Sequence, residues 1–462
     1  MGLIVAGERS GVGKTTVTLA LLAAIAQRRQ SIQAFKVGPD YIDPMFHQAV
    51  TGRPSFNLDP VLTSEAYVCQ CYQQQGYGAD FCLIEGVMGL FDGAASGASA
   101  TDAWGSTAHI ARLLDVPVLL VLDCSRLSGS VAAIAHGFRT LDPQINLVGV
   151  VLNRVASDRH LELLQAALAA IHLPILGVLR RHKAIALPDR HLGLVPTAEL
   201  QDFAHIVAQL AELGRTCFDW SQLTPLLQAH PMQVHPTAPV PHHSRPAAVE
   251  LPNPRPRIAV ARDRAFSFYY ADNLTTLERL GAELIPWSPL DEVALPPGTR
   301  GLYFGGGFPE VFADALSDNQ PGREAVRAAI AAGLPTYAEC GGLMYLCHSL
   351  TDFEGKSWAM AGSLATDAIM GDRLVLGYRR AIAQQDTPLV NSGAEVWGHE
   401  FHRSHLSHSP PAPLYETRGY HPQSPINSEG WASHNVHASY IHLQWGHRIE
   451  LPEKLVNACS KP

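Results

Sequence analysis

Short apolar runs alternate with helical stretches along the first half of the chain. Strands are predicted at residues 3–6, 32–36, 81–85, 116–122 and 147–152. A helix at residues 14–28 follows the first strand. Strands that are apolar throughout and separated by helices are typical of a parallel sheet covered on both faces. The pattern therefore predicts an α/β domain.

The alternation stops in a proline-rich segment and then restarts. Residues 229–256 contain eight prolines and cannot sustain a helix or a central strand. After them, strands are predicted at 257–261, 301–304 and 334–338 and helices at 272–280 and 322–332. We therefore divide the chain into an amino-terminal domain, a linker, a second α/β domain and a tail, at residues 1–228, 229–256, 257–450 and 451–462.

Composition and charge narrow the class of protein. A chain of 462 residues with 47% hydrophobic content is too long for one ordinary core. The formal net charge of −8 predicts no binding to nucleic acid or an anionic membrane, and no apolar run is long enough to span a bilayer. The eight cysteines lack the paired spacing of zinc sites, and the chain enters a strand without a signal segment. We expect a cytoplasmic enzyme that acts on small molecules, and a homodimer is left open.

A phosphate-binding loop is predicted between the first strand and the first helix. Its sequence, GERSGVGKTT at residues 7–16, is one residue longer than the common GxxxxGK[ST] form. Backbone N–H groups in such a loop face the phosphates of a nucleotide, here ATP. Lys14 is expected to contact the β- and γ-phosphates and Thr15 to bind magnesium. The residues assigned to ATP in this loop are Gly11, Gly13, Lys14, Thr15 and Thr16. The alternative is a glycine turn followed by a surface lysine.

Polar side chains at the ends of later strands supply further candidate ligands. Glu85 ends an apolar strand, and Asp92 lies in the glycine-rich segment that follows. Because ligands of open α/β sheets bind at the carboxyl ends of the strands, and magnesium prefers oxygen ligands, both carboxylates are assigned to magnesium. For Asp92 the alternative is a capped turn. Asn153, at another strand end, is assigned to adenine, with capping of the next segment as the alternative.

A second candidate site centres on Cys340. This cysteine follows an apolar strand and precedes two glycines, the setting of a nucleophile on a sharp turn. Gly306 and Gly307 lie in another glycine-rich loop after a strand, which is suited to supply oxyanion donors. A thiol nucleophile needs a base, and His442 is preferred to His437 because it lies near the end of the predicted terminal strand.

Four histidines at positions 399, 402, 405 and 408 have the spacing of a metal site. They lack accompanying cysteines, so a solvated or substrate-facing stretch is the preferred interpretation over zinc.

These motifs together resemble the cobyrinic acid a,c-diamide synthase family of ATP- and glutamine-dependent amidotransferases in corrinoid biosynthesis. The matching segments, in the family's order, are residues 36–44, 85–93, 188–194, 304–310, 338–342, 398–404 and 437–445. The resemblance implies a dethiobiotin-synthetase-like P-loop domain with a parallel sheet, followed by a class I glutamine amidotransferase-like α/β domain. It also implies Cys340 as nucleophile and His442 as base. Many class I glutaminases have a glutamate two residues after this histidine, whereas Gln444 stands here, so the third residue of the site is unidentified.

The resemblance implies a C–N ligase that joins two half-reactions. Cys340 would attack glutamine, with the backbone of Gly306, Gly307 and Gly341 stabilising the oxyanion, and ATP would activate the a- and c-acetate carboxylates of cobyrinic acid. Ammonia would then replace phosphate after travelling along a sheltered path. Asp40 and Ile42 match family positions near the tetrapyrrole substrate. The alternatives are a nickel-sirohydrochlorin a,c-diamide synthase and, in another class, a MinD-like regulatory ATPase.

Overall fold

The chain folds into two compact units, which are residues Met1–Ala238 and Pro239–Pro462. The computed structural model describes residues 2–94, 103–181, 189–190, 193–200, 202–228, 255–421, 423–433 and 435–461. Apart from residues 255 and 256, the predicted linker lies outside the described residues, as do residues 188, 191 and 192 of one matching segment.

The first unit alternates strands and helices. Its strands are β1 (Leu3–Gly7), β2 (Ile32–Val37), β3 (Phe56–Leu58), β4 (Phe81–Glu85), β5 (Val118–Asp123), β6 (Leu147–Val155), β7 (Ile175–Arg180), β8 (Asp189–Arg190) and β9 (Gly193–Leu194). Its helices are α1 (Lys14–Gln27), α2 (Ile42–Thr51), α3 (Glu65–Gly76), α4 (Thr107–Leu114), α5 (Ser130–Leu141), α6 (Asp158–Ala169), α7 (Phe203–Thr216) and α8 (Trp220–Leu227). The five strands and the helix that the sequence predicts in this unit are all present, with ends shifted by at most three residues.

Seven of these strands form one parallel sheet in the order β3-β2-β4-β1-β5-β6-β7. The five residues of β1 are all buried, as are the five of β4 and the six of β5. This is why these strands read as continuous apolar runs rather than as alternating ones. Helix α1 is buried from Val17 to Ile25 because it packs against α2 and α7. Because β1 and β4 are parallel neighbours, the loop between β1 and α1 lies at the same edge of the sheet as the end of β4.

The second unit has a mixed sheet. Its strands are β10 (Arg257–Ala261), β11 (Phe266–Phe268), β12 (Glu283–Trp287), β13 (Thr299–Phe304), β14 (Gly306–Gly307), β15 (Thr336–Glu339), β16 (Ser349–Thr351), β17 (Ser357–Ala359), β18 (Ala368–Ala383), β19 (Glu395–Leu406), β20 (Pro413–Gly419), β21 (Asn427–Ser433) and β22 (Val436–Ser439). Its helices are α9 (Ala271–Arg279), α10 (Ala313–Asp318), α11 (Gln320–Ala331), α12 (Gly341–Leu346) and α13 (Glu450–Ser460).

Strands β12, β10, β13, β15 and β22 are parallel neighbours in that order, and β21, β20 and β18 extend the sheet with antiparallel pairing. The parallel part confirms the predicted α/β pattern of this unit. The end of the chain differs from the expected tail at 451–462. Helix α13 buries Leu451, Leu455, Val456 and Cys459 in the core, because its apolar residues recur at helical spacing.

In the part of the chain that the structure describes, no helix is both long enough and apolar enough to cross a membrane.

Candidate active sites

The phosphate-binding loop lies between β1 and α1. Gly11 and Gly13 have φ angles of 74° and 97°, a left-handed conformation that glycine adopts without strain. Lys14, the first residue of α1, is 8% exposed, and its Nζ donates to the carbonyl oxygen of Met88 at 2.6 Å. Burial, and then the charge of Lys36, lowers the pKa of Lys14 to about 8. The loop thus holds a partly desolvated cation at a helix N-terminus, an arrangement suited to phosphate.

Asn153, near the end of β6, supports this loop. Its Nδ2 donates to the carbonyl oxygen of Val12 at 2.8 Å, and its Oδ1 accepts from Arg154 N at 2.8 Å. A Cβ atom at Gly13 would overlap Asn153 Nδ2, so the loop can approach this amide only with glycine there. The predicted contact with adenine stays a prediction.

Glu85, Thr15 and Lys36 meet beside the loop. Thr15 Oγ1 donates to Glu85 Oε1 at 2.6 Å, and Lys36 Nζ lies 3.3 Å from the same oxygen. His47 Nε2 lies 2.8 Å from Glu85 Oε2. Burial alone would raise the pKa of Glu85, but the Lys36 charge and the hydrogen bonds from His47 and Thr15 outweigh it and hold this pKa well below its usual range. Glu85 is therefore a buried, ionised carboxylate.

Lys36 is a buried cation that the sequence analysis did not single out. Its Nζ lies 2.5 Å from Asp43 Oδ2, 3.7 Å from Asp40 Oδ2 and 3.1 Å from the carbonyl oxygen of Gly86. Burial opposes its charge, yet Asp43 and Glu85 outweigh burial and raise the pKa of Lys36. A lysine within a predicted strand whose other residues are apolar, apart from Gln33, was the available signal.

The donors around Thr15 fit magnesium. Thr15 Oγ1 and Glu85 Oε1 are adjacent oxygens close to the loop that would hold phosphates, and magnesium takes one or two protein oxygens besides phosphate oxygens and water. Asp92 is exposed, and its Oδ2 accepts from Gly89 N at 2.8 Å, the turn contact given as the alternative. Its role as a magnesium ligand stays a prediction. Among the described residues, no group of three or more His, Cys, Asp or Glu side chains is arranged to hold a metal.

Asp40 and Ile42 lie where α2 begins. Asp40 Oδ1 accepts from Ile42 N at 2.9 Å and from Asp43 N at 3.1 Å, so it satisfies two backbone donors at the start of the helix. Ile42 is 6% exposed. Their contact with the substrate stays a prediction.

Cys340 lies on a sharp turn between β15 and α12. Its backbone has φ 47° and ψ −102°, an unusual conformation for a residue with a side chain, and the residue is 4% exposed. A Cβ atom at Gly342 would lie 2.6 Å from the carbonyl oxygen of Phe304, so this turn requires glycine. Burial raises the pKa of the Cys340 thiol, and the charge of Glu310 adds to this, while the Gly341 N–H acts in the opposite direction. The resting thiol is therefore protonated and needs a base.

The glycine loop and His442 lie next to this turn. A Cβ atom at Gly341 would lie 3.0 Å from Gly307 N, and one at Gly306 would lie 3.3 Å from His442 Nε2. The three predicted oxyanion residues and the predicted base thus meet in one place. His442 lies three residues beyond the end of β22, where its backbone exchanges hydrogen bonds of 2.9 and 3.0 Å with His399.

His437 occupies a different position. It is fully buried on β22, with Nδ1 3.0 Å from Thr387 Oγ1 and Nε2 3.4 Å from Tyr415 OH. Burial lowers its pKa to about 3. These contacts match a neutral core histidine and agree with the preference for His442.

Three histidines of the run, at 399, 402 and 405, lie on β19, and the run is not uniformly solvated. His399 and His402 are 6% and 7% exposed, whereas His405 is exposed. The solvated part of the interpretation is therefore wrong for His399 and His402, which are buried, whereas the substrate-facing part stays a prediction.

Comparisons with known proteins agree with this pair of sites. Residues 3–195 match the family model described as "CobQ/CobB/MinD/ParA nucleotide binding domain", and residues 257–449 match the "CobB/CobQ-like glutamine amidotransferase domain". The chain is 54% identical over 461 residues to the cobyrinate a,c-diamide synthase of Synechococcus sp., covering 100% of this chain and 99% of that one. It is 51% identical to the protein of the same name from Synechocystis sp., covering 99% and 93%. It is 40% identical to the hydrogenobyrinate a,c-diamide synthase of Streptomyces coelicolor, covering 99% and 97%. By this similarity over its whole length, the chain belongs to the cobyrinate a,c-diamide synthase family.

Proposed function

We propose that this chain amidates the a- and c-acetate carboxylates of cobyrinic acid in cobalamin biosynthesis, with ATP as activator and glutamine as nitrogen donor. The observation that carries the proposal is the presence of two different sites in one chain. One is a P-loop lysine beside a buried, ionised Glu85, and the other is a strained cysteine next to a buried histidine. The names of the related proteins support the substrate. They do not favour the nickel-sirohydrochlorin or regulatory ATPase alternatives.

In the glutaminase half-reaction, His442 takes the thiol proton and Cys340 Sγ attacks the side-chain carbonyl carbon of glutamine. The oxyanion that forms is stabilised by backbone N–H groups of the loop at Gly306 and Gly307 and by Gly341. His442 then returns the proton to the amide nitrogen and the C–N bond breaks. Ammonia leaves, and a glutamyl thioester remains on Cys340. Water hydrolyses this thioester and releases glutamate, which regenerates the thiol.

In the ligase half-reaction, a substrate carboxylate attacks the γ-phosphorus of ATP, ADP leaves, and an acyl phosphate forms. Lys14 and the N–H groups of the loop at Gly11 and Gly13 hold the phosphates in line for this transfer. Thr15 and Glu85 would hold magnesium, which neutralises charge on the transferred group when bound. Ammonia then attacks the acyl carbon, phosphate leaves, and the amide forms.

The remaining assignments belong to the same proposal. Asp92 would be a further magnesium ligand, Thr16 a loop contact and Asn153 the adenine contact. Asp40 and Ile42 would contact the tetrapyrrole. A cytoplasmic location and a homodimer also stay predictions.

Mass spectrometry of the reaction tests the function. Purified protein is incubated with ATP, magnesium and glutamine, and with either cobyrinic acid or hydrogenobyrinic acid as acceptor. We expect two carboxyl-to-amide conversions. Cys340→Ala should lose them with glutamine and recover them with an ammonium salt, because ammonia bypasses the thiol.

Cys347→Ala is the matched control, since it removes another buried thiol of the same unit that we assign no role. It should still use glutamine. Ammonia release from glutamine without amidation of either acceptor would refute the proposed acceptor. The absence of any glutamine hydrolysis would refute the proposed amidotransferase activity.

A further inference from the structure

Glu339, the residue directly before the nucleophile, carries a buried carboxylate that faces the histidine. Its Oε2 lies 3.4 Å from His442 Nδ1, and both side chains are 1% exposed. Its other oxygen, Oε1, accepts from Leu443 N at 3.2 Å and from the hydroxyl group of Tyr337. Two donors on Oε1 thus fix the carboxylate with Oε2 directed to His442.

Strand register explains why these two residues meet. Strands β15 and β22 are parallel, with Glu339 opposite Ser439, so the chain carries His442 just past the end of the neighbouring strand. The two backbone hydrogen bonds to His399 fix the backbone of His442 there. With Nδ1 towards Glu339, the ring presents Nε2 to the Gly306 side of the site.

Gln444 has other contacts. Its Nε2 donates to Asp272 Oδ2 at 2.7 Å, and the next residue, Trp445, donates its N–H to Asn273 Oδ1 at 2.8 Å. The side chain that stands where many class I glutaminases have a glutamate is therefore neutral and directed to Asp272. The carboxylate at His442 comes instead from β15.

We propose that Glu339 is the positioning residue of the glutaminase site, completing a Cys340–His442–Glu339 set. A hydrogen bond from Nδ1–H of His442 to Oε2, formed by a small rotation from the present ion-pair separation of 3.4 Å, keeps Nε2 unprotonated and able to take the thiol proton, and the carboxylate stabilises the imidazolium that forms. The proton stays on the histidine until it passes to the amide nitrogen, which then leaves as ammonia. This inference rests on the proposed glutaminase activity.

Kinetics of Glu339→Gln test it. Glutamine hydrolysis should fall about 100-fold or more in kcat, because the amide can hold the ring in the wrong tautomer. The KM for glutamine should change by less than about threefold, since Glu339 acts on the transition state through His442. Without the carboxylate the imidazolium is less stable, so the acid limb of the kcat/KM profile should move to lower pH.

Three further measurements separate this role from a structural one. Ammonium-driven amidation should be unchanged in Glu339→Gln, because it does not use the thiol. Glu339→Asp, which keeps the charge, should keep the wild-type acid limb and lose less of kcat than Glu339→Gln. Glu429→Gln removes a carboxylate that contacts Ser439 Oγ and Tyr440 N, and it should keep glutaminase activity within about threefold.

The outcomes are distinct. A wild-type rate of glutamine hydrolysis in Glu339→Gln would overturn the inference. So would the loss of ammonium-driven amidation together with glutamine hydrolysis. If Glu339→Gln is insoluble, Glu339→Ala replaces it as the variant without a carboxylate, and a wild-type rate of glutamine hydrolysis in Glu339→Ala overturns the inference. Wild-type protein that hydrolyses no glutamine would overturn the proposed function, and the role of Glu339 with it.

Discussion

At the scale of single residues, both sites keep ionisable groups out of water. Lys14, Lys36 and Glu85 lie within one cluster, and Cys340 lies beside a glutamate and a histidine. Such surroundings change the protonation of a group and hence its reactivity. The pH dependence of each half-reaction therefore follows from the burial and the neighbours of these residues.

Lys14 gives a prediction for nucleotide binding. Its pKa is lowered to about 8, so in the free protein it loses its charge as pH rises through that value. We expect the Kd for ATP to increase about tenfold between pH 7.5 and 9, because only about one tenth of the lysine is charged at pH 9. Isothermal titration calorimetry across this range measures the effect.

Lys14→Arg is the control for this prediction. Arginine stays charged throughout the range, so the pH dependence should largely disappear even if the affinity is lower at pH 7.5. A wild-type affinity that is constant up to pH 9 would contradict the prediction.

The local sequence was enough to predict site residues that have their strand and their helix directly before and after them in the chain. The P-loop lysine and Cys340 each stand between a strand and a helix, which a single segment reveals. Glu339 and Lys36 were missed because their partners lie in other segments, with His442 just past β22 and Glu85 at the end of β4. Only the pairing of those strands brings the side chains together.

At the scale of elements, the contact between α1 and α7 depends on one glycine. A Cβ atom at Gly214 would overlap the carbonyl oxygen of Ala20 and lie 2.7 Å from Ala24 Cβ. Gly214→Ala should lower the free energy of unfolding by about 1–3 kcal/mol, since overlap with backbone outweighs the gain of about 1 kcal/mol in helix propensity. Denaturant unfolding measures this change.

Gly137→Ala is the matched control within α5. Nothing lies within 4 Å of a Cβ atom there, so the same exchange should stabilise the protein by about 0.5–1 kcal/mol. Equal effects at the two positions would show that close packing of α7 does not matter.

Five of the seven strands of the first parallel sheet were predicted as apolar runs, whereas the short β3, β7 and the antiparallel strand β18 were not. Strand β18 has 16 residues with mostly intermediate or exposed side chains, so neither a continuous apolar run nor a regular alternation marks it. Helix α13 was missed although its apolar residues recur at helical spacing, and its packing into the core stabilises it.

At the scale of the whole molecule, buried neutral histidines make stability depend on pH. Burial lowers the pKa of His399 and His437 to about 3 and that of His402 to about 4. Since an unfolded histidine has a pKa of about 6.5, the unfolded chain binds more protons below that pH. Their contribution to stability is therefore complete above pH 6.5 and is lost as pH falls.

His437→Asn isolates one of these groups. Relative to this variant, the wild-type protein should lose about 1.4 kcal/mol of unfolding free energy per pH unit between pH 6 and 4. The comparison cancels the opposite effect of Glu400 and Glu429, whose pKa values are raised mainly by burial. Tryptophan fluorescence in urea follows the second unit, which holds five of the seven tryptophans. A difference between the two proteins that does not change with pH would contradict the prediction.

The buried lysine of β2 has a consequence for how sequences in this family diverge. Lys36 balances Asp43 and Glu85, and removing one member of such a buried set costs about 3–5 kcal/mol because it leaves a charge without its partner. A single neutral replacement would therefore be selected against even where catalysis is not required. Substitutions at positions 36, 43 and 85 should therefore be correlated. Related chains should keep all three charges or lose them together.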